Sequence, residues 1–181
     1  LNYVSKVIGY FDNNDIPYVT TSSSNLFREE ITIEAGMILR ACIDPVGNAQ
    51  AIGFLLKSGF MGVTKEDAEI LTRKNRYHSQ GLFDSLTKID GKFANPKTIS
   101  AFYEFINSNK KFPSIAMEDW LFSTMKESGI ISKMIELGAN SSLSKLVSLL
   151  LAQLSTAGVF FRYPNRFANY IKQLMEGKIE M

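Results

Sequence analysis

The sequence contains one histidine and one cysteine among 181 residues, so it has few of the side chains that transfer protons, attack as thiolates or bind metals. A zinc site built on paired histidines or on several cysteines is excluded within one chain. His78 follows Arg73, Lys74 and Arg76, and this setting favours a surface position at a helix end over a general base. We therefore expect no metal, no cofactor and no catalytic residue.

Common catalytic and nucleotide-binding motifs are also missing. The chain has no G-x-S-x-G elbow, no G-x-x-x-x-G-K-[ST] phosphate loop and no G-x-G-x-x-G dinucleotide turn. A non-enzymatic binding protein is the favoured interpretation. An enzyme assembled from dispersed carboxylates and hydroxyls stays open, because catalytic groups need not be adjacent in sequence.

The single Cys42 cannot form a disulfide within the chain, and it lies inside the apolar run from Met37 to Ile43. This position predicts a buried, reduced thiol and an intracellular, reducing compartment. The sequence begins with Leu1 instead of Met and lacks a secretory signal pattern, which indicates a processed or trimmed chain.

Neither net charge nor hydrophobic runs are extreme. Twenty Lys and Arg residues stand against 18 Asp and Glu, giving a net charge of +2, so affinity for nucleic acid requires local clustering of cations. The longest apolar stretch, Leu146 to Phe161, is interrupted by polar residues and is shorter than the ~20 residues that span a bilayer. We expect no transmembrane segment.

Helical patterns separated by caps and breakers fill most of the chain. They predict a compact all-α, multi-helix globular domain over residues 1–181, with an expected lobe boundary near 88–95 if the domain has two lobes. Tyr18 to Thr21 and Val159 to Tyr163 are the segments that can form at most a minor β pairing. The predicted helices are Tyr3 to Phe11, Asn25 to Ile43, Ala49 to Phe60, Lys65 to His78, one beginning at Asn95-Pro96, one beginning at Pro113, Ile130 to Leu137, Leu143 to Leu154, and Arg166 to Met175. Thr64 and Asp67 have the spacing of a capping box, Ser141 or Ser142 is expected to cap the helix from Leu143, and Gly129 and Gly138 are expected to end the helices before them. The expected buried face of the helix after Pro96 is Ile99, Phe102, Tyr103, Phe105 and Ile106.

Two features of this helical series bear on the core and on the turns. The helix from Leu143 to Leu154 is apolar on nearly every face, which predicts a central position. Gly59-Phe60-Met61-Gly62 has the G-x-x-G spacing with which KH domains clamp a nucleic-acid backbone. Since the strands of that fold are not apparent and Gly59 is explained as a helix cap, no family is assigned.

The first basic and aromatic stretch runs from Arg73 to His78. Arg73, Arg76 and Tyr77 share one helix strip at i, i+3 and i+4, while Lys74 lies on the adjoining strip. Such a mixture can hold phosphates and stack on bases. The alternative is a solvated helix end whose cations complement the helix dipole.

The second stretch, residues 160–167, alternates aromatic rings with two arginines around a proline. Arg162 and Arg166 can contact phosphates while Tyr163 stacks on a base. The alternative is that the rings fix the last helix to the core. Lys110 and Lys111 add cations that folding can bring beside either stretch.

The sequence therefore predicts a non-enzymatic, nucleoprotein-like protein that binds single-stranded nucleic acid, RNA in particular, through a basic and aromatic groove. The predicted contacts are Arg73, Lys74, Arg76, Tyr77, Lys110, Lys111, Arg162, Tyr163 and Arg166. The alternative is a protein-interaction or self-association module that uses an exposed aromatic and Met surface, since the chain has 13 Phe and seven Met.

Overall fold

The computed structural model describes residues 26–74, 81–88, 92–110, 117–157 and 164–177. Within these ranges the chain is compact and helical and forms no β-strand, so the all-α prediction is confirmed. The helices are α1 (Glu30–Ile43), α2 (Ala49–Lys57), α3 (Lys65–Lys74), α4 (Gly81–Ser85), α5 (Pro96–Asn109), α6 (Met117–Glu127), α7 (Ile130–Glu136), α8 (Asn140–Ala157) and α9 (Pro164–Met175). Two 3₁₀ turns, Leu26–Arg28 and Phe60–Gly62, precede α1 and α3.

The core is organised around α1. This helix packs against α2, α5, α6, α7, α8, α9 and the turn Leu26–Arg28. Eleven of its 14 residues are buried, on every side of the helix. Gly36 lets α9 approach closely, because a Cβ at that position would lie 2.8 Å from Met175 Sδ. Helix α1 is therefore the central element of the domain.

Two polar side chains inside α1 have partners that fix neighbouring elements. Glu34 is buried and forms an ion pair with Lys133 of α7, 99 residues further along the chain. The Thr32 hydroxyl donates to the backbone carbonyls of Leu26 and Glu29. Because buried polar groups are costly without partners, these bonds make the placement of α7 and of the first turn specific.

The prediction that the leucine-rich helix is central is wrong. Helix α8 packs on α1, α6, α7 and the first turn, and of its described side chains only Leu146 and Leu150 are fully buried. Leu149 and Leu151 are half-buried, so the apolar character is spread around a helix with one enclosed face. Helix α8 therefore lies at the periphery of the fold, and α1 occupies the centre.

Helix α5 begins at Pro96, as the Asn95-Pro96 sequence predicts. The Asn95 side chain, however, makes no capping hydrogen bond. Instead the fully buried carboxylate of Asp67 in α3 accepts the N–H of Ala94 at 2.7 Å and the N–H of Asn95 at 2.9 Å. Thr64 Oγ1 accepts the Asp67 N–H at 3.1 Å, as its capping sequence predicts. Asp67 therefore fixes the start of α5 to α3.

The other end of α5 is joined to α6 by the side chain and carbonyl of Asn109. Trp120 Nε1 donates to the Asn109 carbonyl at 2.7 Å, and the Thr124 hydroxyl donates to Asn109 Oδ1 at 3.0 Å. Asn109 Nδ2 donates to Glu127 Oε2 at 3.0 Å. Since the Asn109 amide is buried with both its ends satisfied, it sets the register between the two helices.

Several helix boundaries follow the sequence prediction and others do not. Gly129 and Gly138 end α6 and α7 with positive φ, as predicted. The short helix α4 is not predicted, and α8 begins before its expected serine caps. The predicted helix Tyr3 to Phe11 and the segments Tyr18 to Thr21 and Val159 to Tyr163 lie outside the described residues. The helix stays a prediction. The β pairing of the two segments, the single domain and its boundary near 88–95 also stay predictions.

Candidate nucleic-acid interface

A pocket of about 420 Å³ lies where the end of α2 meets α3. Its lining residues are Lys57, Lys65, Ala68, Glu69, Thr72 and Arg73. Three of them are cations and one is a carboxylate, while Thr72 supplies a hydroxyl. Because a concave surface with an excess of one charge concentrates ions of the opposite charge, the pocket favours an anionic ligand.

Helix α3 supplies most of this lining from a single strip. Positions 65, 68, 69, 72 and 73 follow the i, i+3, i+4, i+7, i+8 spacing that places residues on one face. Lys65 and Arg73 are separated by about 12 Å along the helix axis at ~1.5 Å per residue. At ~3.4 Å per nucleotide that distance covers about three to four phosphates of a stacked strand.

The charges of the pocket are not all equally available. Arg73 Nη2 forms an ion pair with Glu69 Oε2 at 2.8 Å, and the two side chains are 73% and 61% exposed. An exposed i, i+4 pair of this kind contributes only about 0.3–0.5 kcal/mol. Among the described residues, Lys57 and Lys65 have no ion-pair or hydrogen-bond partner for their ammonium groups. Both lysines are therefore available to a ligand.

The connection from α2 to α3 borders the pocket, because Lys57 and Lys65 stand at its two ends. Gly59 ends α2 in the left-handed conformation, as predicted, with φ 74°. Gly62 has φ 79°, and its N–H donates to the Gly59 carbonyl at 2.9 Å. Met61 has φ 57° and is the one non-glycine residue with positive φ in the described part of the chain.

The sequence-predicted contacts are only partly described. Arg73 lines the pocket, and Lys74 is the last residue of α3. Lys110 follows α5, and its Nζ lies 5.8 Å from the ring centroid of Phe83 in α4. Arg166 is exposed in the first turn of α9. The other predicted contacts, Arg76, Tyr77, Lys111, Arg162 and Tyr163, lie outside the described residues.

Arg73 and Arg166 belong to helices with different neighbours. Helix α3 packs on α2 and α4, whereas α9 packs on α1 and the turn Leu26–Arg28. The two helices thus border different parts of the fold. A single groove that joins the two basic stretches stays a prediction.

Lys57 and Lys65 are the site residues that sequence reasoning missed. Neither belongs to a basic run, so neither stands out by local charge density. The available signal was their position at the last residue of one helix and the first residue of the next. Because a short connection keeps consecutive helices adjacent, two such lysines line the same pocket even though they are eight positions apart in the sequence.

Buried ionisable groups elsewhere have structural roles. Arg40 Nη2 donates to Asn48 Oδ1 at 3.2 Å, and Nη1 approaches Met37 Sδ at 3.7 Å. Arg40 Nε has no hydrogen-bond partner among the residues that the structure describes. Burial lowers the pKa of Arg40, and the negative charge of Glu176 opposes that change. Arg40 therefore joins the end of α1 to the following turn.

Cys42 is completely buried, as predicted. Burial and, secondarily, the nearby charge of Glu127 raise the pKa of its thiol. A thiol held in its neutral form is a poor nucleophile. Cys42 is thus part of the core.

In the described ranges, no three His, Cys, Asp or Glu side chains are grouped so that they could hold a metal ion. Over the same residues, no helix combines the length and the apolar character needed to cross a membrane. Comparison with protein-family models found no match for the chain. Searches among curated proteins and among solved structures found no match either.

Proposed function

We propose that this chain binds single-stranded nucleic acid, RNA in particular, without catalysis, and that the pocket between α2 and α3 receives its phosphates. The observation that carries this proposal is the convergence of Lys57, Lys65 and Arg73 on one concavity with a single carboxylate, Glu69. Each lysine that meets a phosphate releases counterions, and this release drives association at low salt.

The spacing of the cations supports a strand over an isolated anion. Lys65 and Arg73 lie at opposite ends of the α3 strip, about 12 Å apart along the helix axis, a spacing that matches several phosphates of one strand. A chain of phosphates can occupy the whole strip. Sequence-independent binding is expected, because ammonium groups contact the backbone and not the base edges.

The test is fluorescence polarisation of a labelled single-stranded RNA across a salt series, with an acidic peptide of equal charge as the competing polyanion. The wild type is expected to bind the RNA at micromolar or lower concentration and to lose affinity steeply as salt rises. Replacement of both Lys57 and Lys65 by Ala should reduce the slope of log K against log salt by about 0.7 for each lysine.

The matched control replaces Lys126 and Lys145 by Ala. Both lysines are exposed, and they lie on α6 and α8, away from the pocket lining. This variant carries the same net charge as the pocket variant and should retain nearly all of the affinity. No RNA binding even at low salt, or an equal loss in the two variants, would contradict the proposal.

A protein-interaction module is the second candidate, and one observation favours it. Ile135 and Leu137, at the end of α7, are 53% and 65% exposed. Large apolar side chains that are exposed close together supply apolar area of the kind that a protein partner can cover. Salt discriminates the two candidates, because apolar association changes little over the range in which phosphate binding collapses.

A further inference from the structure

The loop beside the pocket has a backbone conformation that its sequence does not favour. Met61 has φ 57° and ψ 23°, a left-handed conformation that glycine adopts readily and that other residues rarely adopt. Gly59 and Gly62, in the same turn, also have positive φ, and both positions hold glycine, the residue that this conformation favours. A methionine is therefore held at the one position of this turn where glycine would relieve strain.

Packing on α5 holds the rest of this loop in place. Phe60 is buried, and its ring packs edge-on against Phe102 and Phe105, with ring centroids 6.0 and 5.5 Å apart. The turn Phe60–Gly62 as a whole also packs on the same helix. These contacts determine the path of the chain on both sides of Met61, so the strained conformation is imposed on it.

The Met61 side chain contributes little to the core in return, because the residue is 39% exposed. Lys57 and Lys65 each lie four residues away, and both line the cationic pocket. At ~3.8 Å per residue, Met61 is at most about 15 Å from either lysine, measured between Cα atoms. An apolar, polarisable side chain thus lies in the middle of the connection whose two end residues line the cationic pocket.

We infer that Met61 contacts the face of a nucleobase whose phosphates are bound by Lys57 and Lys65. The inference rests on the proposed nucleic-acid binding and adds a base contact to it. A thioether packs favourably against aromatic rings, and every base presents such a face, so the contact is independent of sequence. The strain at residue 61 is then a cost that the fold tolerates for the sake of binding.

The experiment compares two labelled probes with the same number of phosphates, an oligouridine and an abasic ribose-phosphate oligomer. The wild type is expected to bind the oligouridine more tightly than the abasic probe. In Met61→Gly the preference should fall by about two- to tenfold while affinity for the abasic probe is kept. Met61→Gly should also melt at or above the wild-type temperature, which excludes unfolding as the cause.

Two further variants make the assignment specific. Met61→Leu keeps an apolar side chain and should retain most of the preference for the oligouridine. Val46→Gly removes another exposed apolar side chain, on the loop before α2, and should leave the preference unchanged.

The outcomes separate this inference from the proposed function. An unchanged preference in Met61→Gly overturns the base contact alone, provided that the wild type binds both probes in a salt-dependent way. Absence of binding to either probe at low salt overturns the proposed function and the base contact together.

Discussion

The Asp67 carboxylate accepts the backbone N–H of Asn95 at 2.9 Å, across 28 residues of sequence. The acid projects from the buried side of α3, and the strip that lines the pocket lies on the outer side of the same helix. This hydrogen bond therefore fixes how α3 is rotated, and with it the direction in which Lys65 and Arg73 face. A core interaction thus positions the cations of the candidate site.

Asp67→Ala is expected to reduce the free energy of unfolding by about 2–4 kcal/mol. The substitution removes two hydrogen bonds to a buried carboxylate and leaves the N–H groups of Ala94 and Asn95 without that acceptor. Chemical denaturation monitored by circular dichroism measures the change. Glu66→Ala, at an exposed position one residue earlier, is the control and should change stability by less than about 0.5 kcal/mol.

Glu69→Gln is expected to strengthen RNA binding by about two- to fivefold at low salt. The substitution removes the one carboxylate among the described residues that line the pocket, and it releases Arg73 from its ion pair. Polarisation titrations of wild type and variant give the ratio directly. Glu118→Gln, in the first turn of α6, makes the same change of net charge away from the pocket. A gain of equal size in both variants would show that only the overall charge matters.

Two glycines within helices should respond in opposite ways to alanine. Gly53→Ala should stabilise the protein by about 0.5–1 kcal/mol, because its Cβ meets only Leu82 Cδ2, at 3.8 Å. Gly36→Ala should destabilise it by about 1–3 kcal/mol. Its Cβ would lie 2.8 Å from Met175 Sδ and 3.2 Å from Phe27 Cε1, so these two side chains must shift out of their packed positions. Equal stabilisation of the two variants in thermal melts would contradict the close approach of these helices.

Stability should fall with rising pH through the ionisation of Cys42. The folded protein holds the pKa of this thiol above its ordinary value of 9.0, so the thiolate forms first in the unfolded chain. The stability that the neutral thiol contributes to the folded state is present below pH 9 and is lost progressively as the pH rises above 9. Between pH 8 and pH 10 the wild type should lose about 1.4 kcal/mol more than Cys42→Ala, as urea denaturation of both proteins can measure.

The ionisation of Tyr170 also lowers stability as the pH rises, but at a higher pH, because burial raises the pKa of its phenol to about 12. Its effect is present in both proteins of the Cys42 comparison and cancels in the difference. A wild-type pH dependence identical to that of Cys42→Ala would contradict a buried, neutral thiol.

The sequence predicted the helical class because caps and breakers act locally. Gly59, Gly129 and the Asn95-Pro96 pair each end or start a helix through the conformation of one or two residues, and the structure has helix boundaries at all three. The expected buried face of α5 is also largely confirmed, with Ile99, Phe102, Phe105 and Ile106 buried and Tyr103 half-buried.

The position of each helix in the fold was harder to predict, because it depends on distant partners. Helix α1 carries Glu34 and Arg40, which mark a surface helix by composition, yet Lys133 and Asn48 satisfy them inside the core. Asp67 was predicted to complete a local cap and instead binds the loop before α5. The candidate site has the same origin: Lys57 and Lys65 become neighbours only through the turn between two helices.

The enclosure of α1 by α9 also has a consequence for synthesis on the ribosome. About 120 residues separate the end of α1 from the start of α9. At ~5–20 residues per second, translation of that interval takes about 6–24 s. Throughout this time α9 has not been synthesised, so the face of α1 around Gly36 that it covers stays exposed. Slow translation prolongs the exposure of this apolar surface in the nascent chain and therefore favours aggregation.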